Sequence, residues 1–234
     1  MESEQRKNSV LRVFGEEIWI AGDWLRTLGM TIPVRMTVVR IEGRRLLIHS
    51  PLALSPRLRA QLDALGDVCY VIAPNRFHHL FAGDYGAYPD ARLLLAPGLE
   101  RKRADLRCQD LLGESSPPEW SGQVDQMLFA GAPLINEVAF FHHASRTLIL
   151  TDLALNIRHT PSRLARWYFR INGAYGHLGQ SRLIRLLTRD RQAARRSVER
   201  MLQWDIERIL MAHGEPVTDG GKEALKMLFG WLLE

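Results

Sequence analysis

Cysteine is almost missing from this chain: 234 residues contain only Cys69 and Cys108, and they do not form a CxxC pair. That argues against a disulfide framework and for reduced thiols, as in a cytoplasmic protein. No apolar run approaches the roughly eighteen residues needed to cross a bilayer. The opening MESEQRKNSV is polar and mixed in charge, so no signal peptide is expected. Gly83, Gly86 and Gly98 make no phosphate-binding loop, and neither a GxSxG nor a Cys–His nucleophile pattern occurs. Acid is scarce between Arg163 and Arg200, where ten arginines stand against Asp190 and Glu199. There is no internal repeat and no low-complexity tract.

What remains is an ordinary globular composition, 46% hydrophobic and 24% charged, with a formal net charge of +5. Such a length can bury a real core. Strands are expected at EEIWIAG, PVRMTVVRI and RRLLIHS, the second alternating through Val34, Met36 and Val38, with a tight turn at Glu42-Gly43. SPRLRAQLDALG has a capping serine, an apolar stripe at Leu58, Leu62 and Leu65, and a terminating glycine, which predicts a helix. DVCYVIAPN and ARLLLAPG follow as strands. Glu100 to Gly122 is polar and reads as a long loop. QMLFAG, EVAFFHHA and TLILTD resume the strands. The chain after Thr160 reads as helical, apart from a strand at ERILMAHG. This alternation predicts a layered α/β fold.

Four of these stretches end a strand on a potential metal ligand: His49, the pair His78 and His79, Asp152 and His213. Strand ends are where loops carrying chemistry are held by a rigid sheet. If the strands share a sheet edge, their ends meet in one cleft. The adjacent pair leaves two readings open. In a turning loop both histidines reach one metal, whereas in a regular helix one faces the core and the other solvent.

The order of these endings resembles the metallo-β-lactamase fold, a four-layer αβ/βα sandwich of hydrolases, over about Val34 to Gly214. PVRMTVVRI, LLIHSP, PNRFHHLF, PDARLLLAPGL, NEVAFFHHASRTLILTD and AHGEP more closely resemble a domain-of-unknown-function branch of that superfamily. The resemblance implies a single domain over 10–234, a flexible tail over 1–9, and an arginine-rich helical segment over 161–205. The superfamily signature is HxHxDH. Aligning His79 with its last histidine puts His78 on the aspartate, Arg76 on the second histidine and Pro74 on the first. The next family histidine falls near Pro133, where none stands. The first-metal ligands are therefore lost, while His78, His79, Asp152 and His213 stand where the second metal is held.

Such a set suits zinc, with iron or manganese also compatible, and a metal of this kind lowers the pKa of bound water to ~7. The resemblance then implies a mononuclear metal-dependent hydrolase of a small anionic substrate, acting through metal-bound hydroxide, with Arg76 positioning substrate; Glu137, beginning a strand at the cleft side, is a further candidate acid or base. His49 and Asp84 are expected behind the ligands, although His49 could bond to backbone and Asp84 could be a turn residue. His142 and His143 fit core or surface roles. His159 and His177, in the arginine-rich region, have no evident partner. The rival reading is an inactive hydrolase-fold module without a metal. It would bind a ligand, a protein or nucleic acid through arginines 163, 166 and 170 interleaved with Trp167, Tyr168 and Phe169. That surface could instead form a homodimer or meet an anionic membrane.

Overall fold

The computed structural model describes residues 9–234. The expected tail lies outside the described residues except for Ser9, which is already buried, its hydroxyl 3.3 Å from Asp23 Oδ2. Eleven strands are described: β1 Arg12–Gly15, β2 Ile18–Thr27, β3 Met30–Arg40, β4 Arg45–His49, β5 Asp67–Ala73, β6 Arg92–Leu95, β7 Asp110–Leu111, β8 Val124–Leu128, β9 Val138–His142, β10 Thr147–Asn156 and β11 Arg208–Gly214. The helices are α1 Pro56–Leu65, α2 Leu99–Lys102, α3 Arg163–Ile171, α4 Arg182–Leu187, α5 Arg191–Met201, α6 Gly221–Leu228 and α7 Gly230–Leu233.

β1 to β7 form one sheet in sequence order, and the second sheet runs β11-β10-β9-β8. Strand alternation builds the layers. Val39, Leu47 and Ile72 face Phe140, Ile149 and Leu210 between the sheets. Their neighbours Val38, Ile48 and Val71 face outward onto Leu58 and Leu62 of α1. On the other side, Phe141, Leu148, Leu150 and Met211 receive Val198 and Met201 of α5 and Leu225 and Leu228 of α6. The order helix, sheet, sheet, helix is the four-layer sandwich expected from the sequence.

Local chemistry sets the boundaries. Ser55 Oγ accepts from the Leu58 N–H to start α1, and the Gly66 N–H closes it on the Leu62 carbonyl. Three expectations need correction. The first two strands are longer than they read and join at Leu28-Gly29 into a hairpin over Ile18–Arg40. The predicted loop after Glu100 overlaps the end of α2 and also contains β7 and the fully buried Trp120. Asp152 does not end β10, which runs on to Asn156. It sits in an irregularity: pairing with β11 passes from Leu150↔Met211 to Leu155↔His213, five residues on β10 against two on β11. Cys69 and Cys108 are free. Among the described residues, no helix is long and apolar enough to cross a membrane.

Candidate metal centre

The β10 irregularity frees backbone donors, and one buried carboxylate collects them. Glu137, just before β9, accepts from the N–H groups of Thr151 at 2.6 Å, Asp152 at 2.8 Å and Leu153 at 3.2 Å. It also accepts from Asn75 Nδ2 at 3.1 Å. Burial and the nearby Asp152 charge raise its pKa against these bonds. Glu137, expected as an acid or base, is 1% exposed, is not among the residues lining the cleft, and holds the segment that carries Asp152.

Asn75, fully buried at the end of β5, ties that segment to the histidine loop. Its Oδ1 accepts from the N–H groups of Phe77 and His78, both at 2.8 Å, which turns the backbone there. Its amide contacts Thr151 Oγ1 at 2.8 Å and Asp152 Oδ2 at 2.7 Å. Because the backbone turns, the two histidines part. His78 faces Asp152 and His213, with Nε2 3.4 Å from Asp152 Oδ2 and 3.1 Å from His213 Nε2. His213 Nε2 lies 3.3 Å from Asp152 Oδ1.

The outer nitrogen of each ring is also held. His213 Nδ1 lies 2.8 Å from the Pro33 carbonyl, which only accepts, so Nδ1 donates there and Nε2 is the atom turned to the site. His78 Nδ1 lies 2.8 Å from Ser50 Oγ, and Ser50 itself takes φ 54°, strained for a non-glycine residue at a strand end. Beside His213, Gly214 has φ 93°, and an added Cβ would fall 2.0 Å from the Asn156 carbonyl oxygen, so glycine permits this approach. Burial alone would lower the His78 pKa, but the charge and contact of Asp152, with the charge of Glu137, reverse this and raise it. Asp152 is likewise disfavoured as an anion by burial, yet the two histidines hold its pKa well below the usual carboxylate range.

His78, Asp152 and His213 offer donor atoms within 4.8 Å of one another. Four-coordinate zinc with ligands at ~2.0–2.1 Å places neighbouring donors about 3.3 Å apart. The pairwise separations of 3.1 to 3.4 Å come near that figure, with each histidine facing a different oxygen of Asp152. The 3.1 Å between the two Nε2 atoms suits a hydrogen bond between the rings or a metal ion held by both. The donor set therefore fits one small divalent ion.

The other expected site residues lie elsewhere. His79 is 6% exposed, and its Nδ1 faces Arg103 Nη1 at 2.9 Å rather than the three donors. Burial, then the charges of Lys102 and Arg103, lower its pKa to about 4. Arg76 points toward the Pro133 carbonyl, 3.4 Å from Nη1, and does not line the cleft. Thus two of the three positions that the resemblance assigns to lost first-metal ligands, Arg76 and Pro133, touch each other. Asp84 is exposed in the short 3₁₀ helix Ala82–Ala87, not in a turn; it accepts from the Leu54 N–H at 3.2 Å and is not one of the three grouped donors. His49 does lie behind the site, 2% exposed and edge-on to Phe140, with Nε2 unpartnered. Burial, then the charge of His78, lower its pKa to about 3. His142 bonds Ser145 Oγ at 2.7 Å and His143 pairs with Asp125 at 3.0 Å, both apart from the site. His159 lies edge-on to Trp24.

The donors open into a cleft of about 450 Å³ whose wall includes Leu25, Ile32, Phe77, Leu80, Phe81 and Lys102. Sequence reasoning missed Asn75, Ser50 and Pro33 as supports. An asparagine directly after a strand and before the histidines was the available sign of the Asx turn.

No match is found among curated protein sequences. Solved structures with this fold include a metallo-β-lactamase from Pontibacter korlensis, 10% identical with TM-score 0.64, covering 95% of this chain and 99% of that one. A metallo-β-lactamase from Hirschia baltica is 11% identical with TM-score 0.63, covering 94% and 95%. A metal-soaked flavodiiron core from Synechocystis is 11% identical with TM-score 0.65, covering 97% of this chain but 61% of that one. At such identities the likeness shows the fold alone, and the fold is that of the metallo-β-lactamases. The family model described as a domain of unknown function, DUF4336, matches residues 15–172, and the chain belongs to that family.

Proposed function

We propose that the protein is a mononuclear metal-dependent hydrolase of a small substrate, with His78, Asp152 and His213 as the protein ligands. The observation that carries this reading is the spacing of the three donor atoms at the foot of an open cleft. A divalent ion bound there supplies Lewis acidity and lowers the pKa of water. The chain's own residues hold and aim the site. Pro33 and Ser50 fix the two imidazoles, Asn75 and Glu137 fix Asp152, and the apolar wall excludes water from one side. Arg76 takes no part in substrate binding in this account, because its guanidinium is turned to Pro133.

Metal content per chain tests the reading, on protein purified without chelator or metal-affinity resin. About one equivalent of zinc, iron or manganese is expected in wild type. His213→Ala should lose it and His79→Ala should keep it. Absence of metal from wild type even after reconstitution would end the proposal, and loss in His79→Ala with retention in His213→Ala would overturn the ligand set.

A further inference from the structure

Most polar groups of the cleft are already engaged. Ser50, His78, Asp152 and His213 are engaged with one another or with backbone, and His79 is engaged with Arg103. Apart from these, Thr27 and Lys102, the wall is hydrocarbon, including Leu25 and Ile32 from the β2–β3 hairpin and Phe77, Leu80 and Phe81 from the turn after β5. Phe77 is 48% and Leu80 53% exposed, so two large apolar side chains stand at the mouth in contact with water. The one lysine of the wall, Lys102, already donates to the Arg76 carbonyl at 2.7 Å and lies 5.3 Å over the Phe77 ring.

A phosphate ester or a compact polyanion needs arginine or lysine donors that converge on its oxygens. Arg76 is turned away, and Arg103 pairs with Asp105 at 2.7 Å. A neutral scissile group with an apolar tail has what it needs: polar donors and a hydrocarbon surface. The volume is that of a small-molecule site.

From this we infer that the substrate is a carboxylic ester or lactone whose acyl group carries a hydrocarbon chain, laid along Leu25, Ile32, Phe77 and Leu80. The reaction rests on the hydrolase reading above, whereas the chain site rests on the cleft alone. In the reaction, the oxygen of water bonds to the acyl carbon and the acyl C–O bond breaks, its electron pair leaving on the alcohol oxygen. One proton of the water ends on the alcohol and the other is released as the acid ionises. No redox partner is required.

Two measurements on the full chain separate the inference from the reading it rests on. The first is kcat/KM of zinc-loaded protein for 4-nitrophenyl acetate, butyrate and octanoate, beside bis(4-nitrophenyl) phosphate. A rise of roughly threefold to fourfold per added methylene is expected until the chain fills the cleft. The second is displacement of cis-parinaric acid by decanoate from metal-free protein, with a loss of at least tenfold in affinity in Leu80→Asp. Turnover of acetate with a flat or falling chain series, or faster turnover of the phosphodiester, would overturn the inference and leave a hydrolase. Decanoate binding that Leu80→Asp abolishes, without turnover of any ester, would uphold the chain site and remove the hydrolase reading. Decanoate that fails to displace the probe from wild type, or displaces it equally from Leu80→Asp, overturns the chain site itself.

Discussion

Asn75 joins parts of the site that no single strand could bring together. Its oxygen shapes the turn that presents His78, and its amide reaches Asp152 across the gap between the two sheets. Removing the side chain in Asn75→Ala leaves the N–H groups of Phe77 and His78 without their acceptor in a buried place. A loss of about 2–4 kcal/mol in urea unfolding is expected. Zinc affinity, measured by competition with a chromophoric chelator, should fall by about 10- to 100-fold, as when other outer supports of metal ligands are removed. Unchanged affinity with lowered stability would mean that His78 keeps its aim without this turn. The same scale shows what the sequence could and could not reveal. His78, Asp152 and His213 were legible as polar residues at the ends of apolar runs. His79 shared that signature, yet its ring went to Arg103, because the direction of a side chain in a turn is not encoded in spacing. Glu137 was legible as a site residue but not as a support, since its role depends on the irregularity in β10 that frees three N–H groups.

Elements were read well where periodicity and caps agreed, as in α1, and poorly where a turn lacked its usual residues. The β2–β3 hairpin escaped notice because Leu28-Gly29 stands where Asn-Gly or Asp-Gly is usual. Leu28 has φ 49° and Gly29 φ 74°, the two positive values of a type I′ turn. Leucine is strained there and is also 86% exposed. Leu28→Asn should therefore raise stability by about 1 kcal/mol, seen as a gain of roughly 2–4 °C in the melting temperature. No gain would mean that Leu28 makes a favourable contact that its exposure conceals. Helix α3 shows the opposite case, a pattern that was visible but ambiguous. Of its aromatic triplet, Phe169 packs with Leu155 and Ile157, Tyr168 lies at the edge of that cluster, and only Trp167 is largely exposed. Arg166 donates to the Thr160 carbonyl at 2.9 Å, and Arg170 lies over Tyr175. A base-stacking surface needs several free aromatics beside free cations. This helix instead covers the extended hairpin and the end of β10, so the nucleic-acid rival loses the support that the sequence lent it.

For the molecule as a whole, the candidate centre spans the join between its two halves. His78 follows β5 of the larger sheet, while Asp152 and His213 lie on β10 and β11 of the smaller one. The protein already ties this seam with Arg35 Nη1 donating to the Met211 carbonyl at 2.6 Å and with His213 Nδ1 donating to the Pro33 carbonyl. An ion held by His78, Asp152 and His213 would add a further tie that exists only in the folded state, so binding must appear as stability. At a free zinc concentration about 100 times its Kd, stabilisation of ~2.7 kcal/mol follows. For a chain of this size that is a rise in melting temperature of about 5–10 °C, reversed by a chelator. His213→Ala should melt at one temperature with or without zinc, while His79→Ala, whose changed ring faces Arg103, should keep the zinc-dependent rise. A chelator-insensitive wild type would sever the link between the seam and the ion. An equal rise in wild type and His213→Ala would place the bound ion away from the seam. The expected pattern follows from topology, because no two of the three donors share a strand and only the completed sandwich brings them within 4.8 Å of one another.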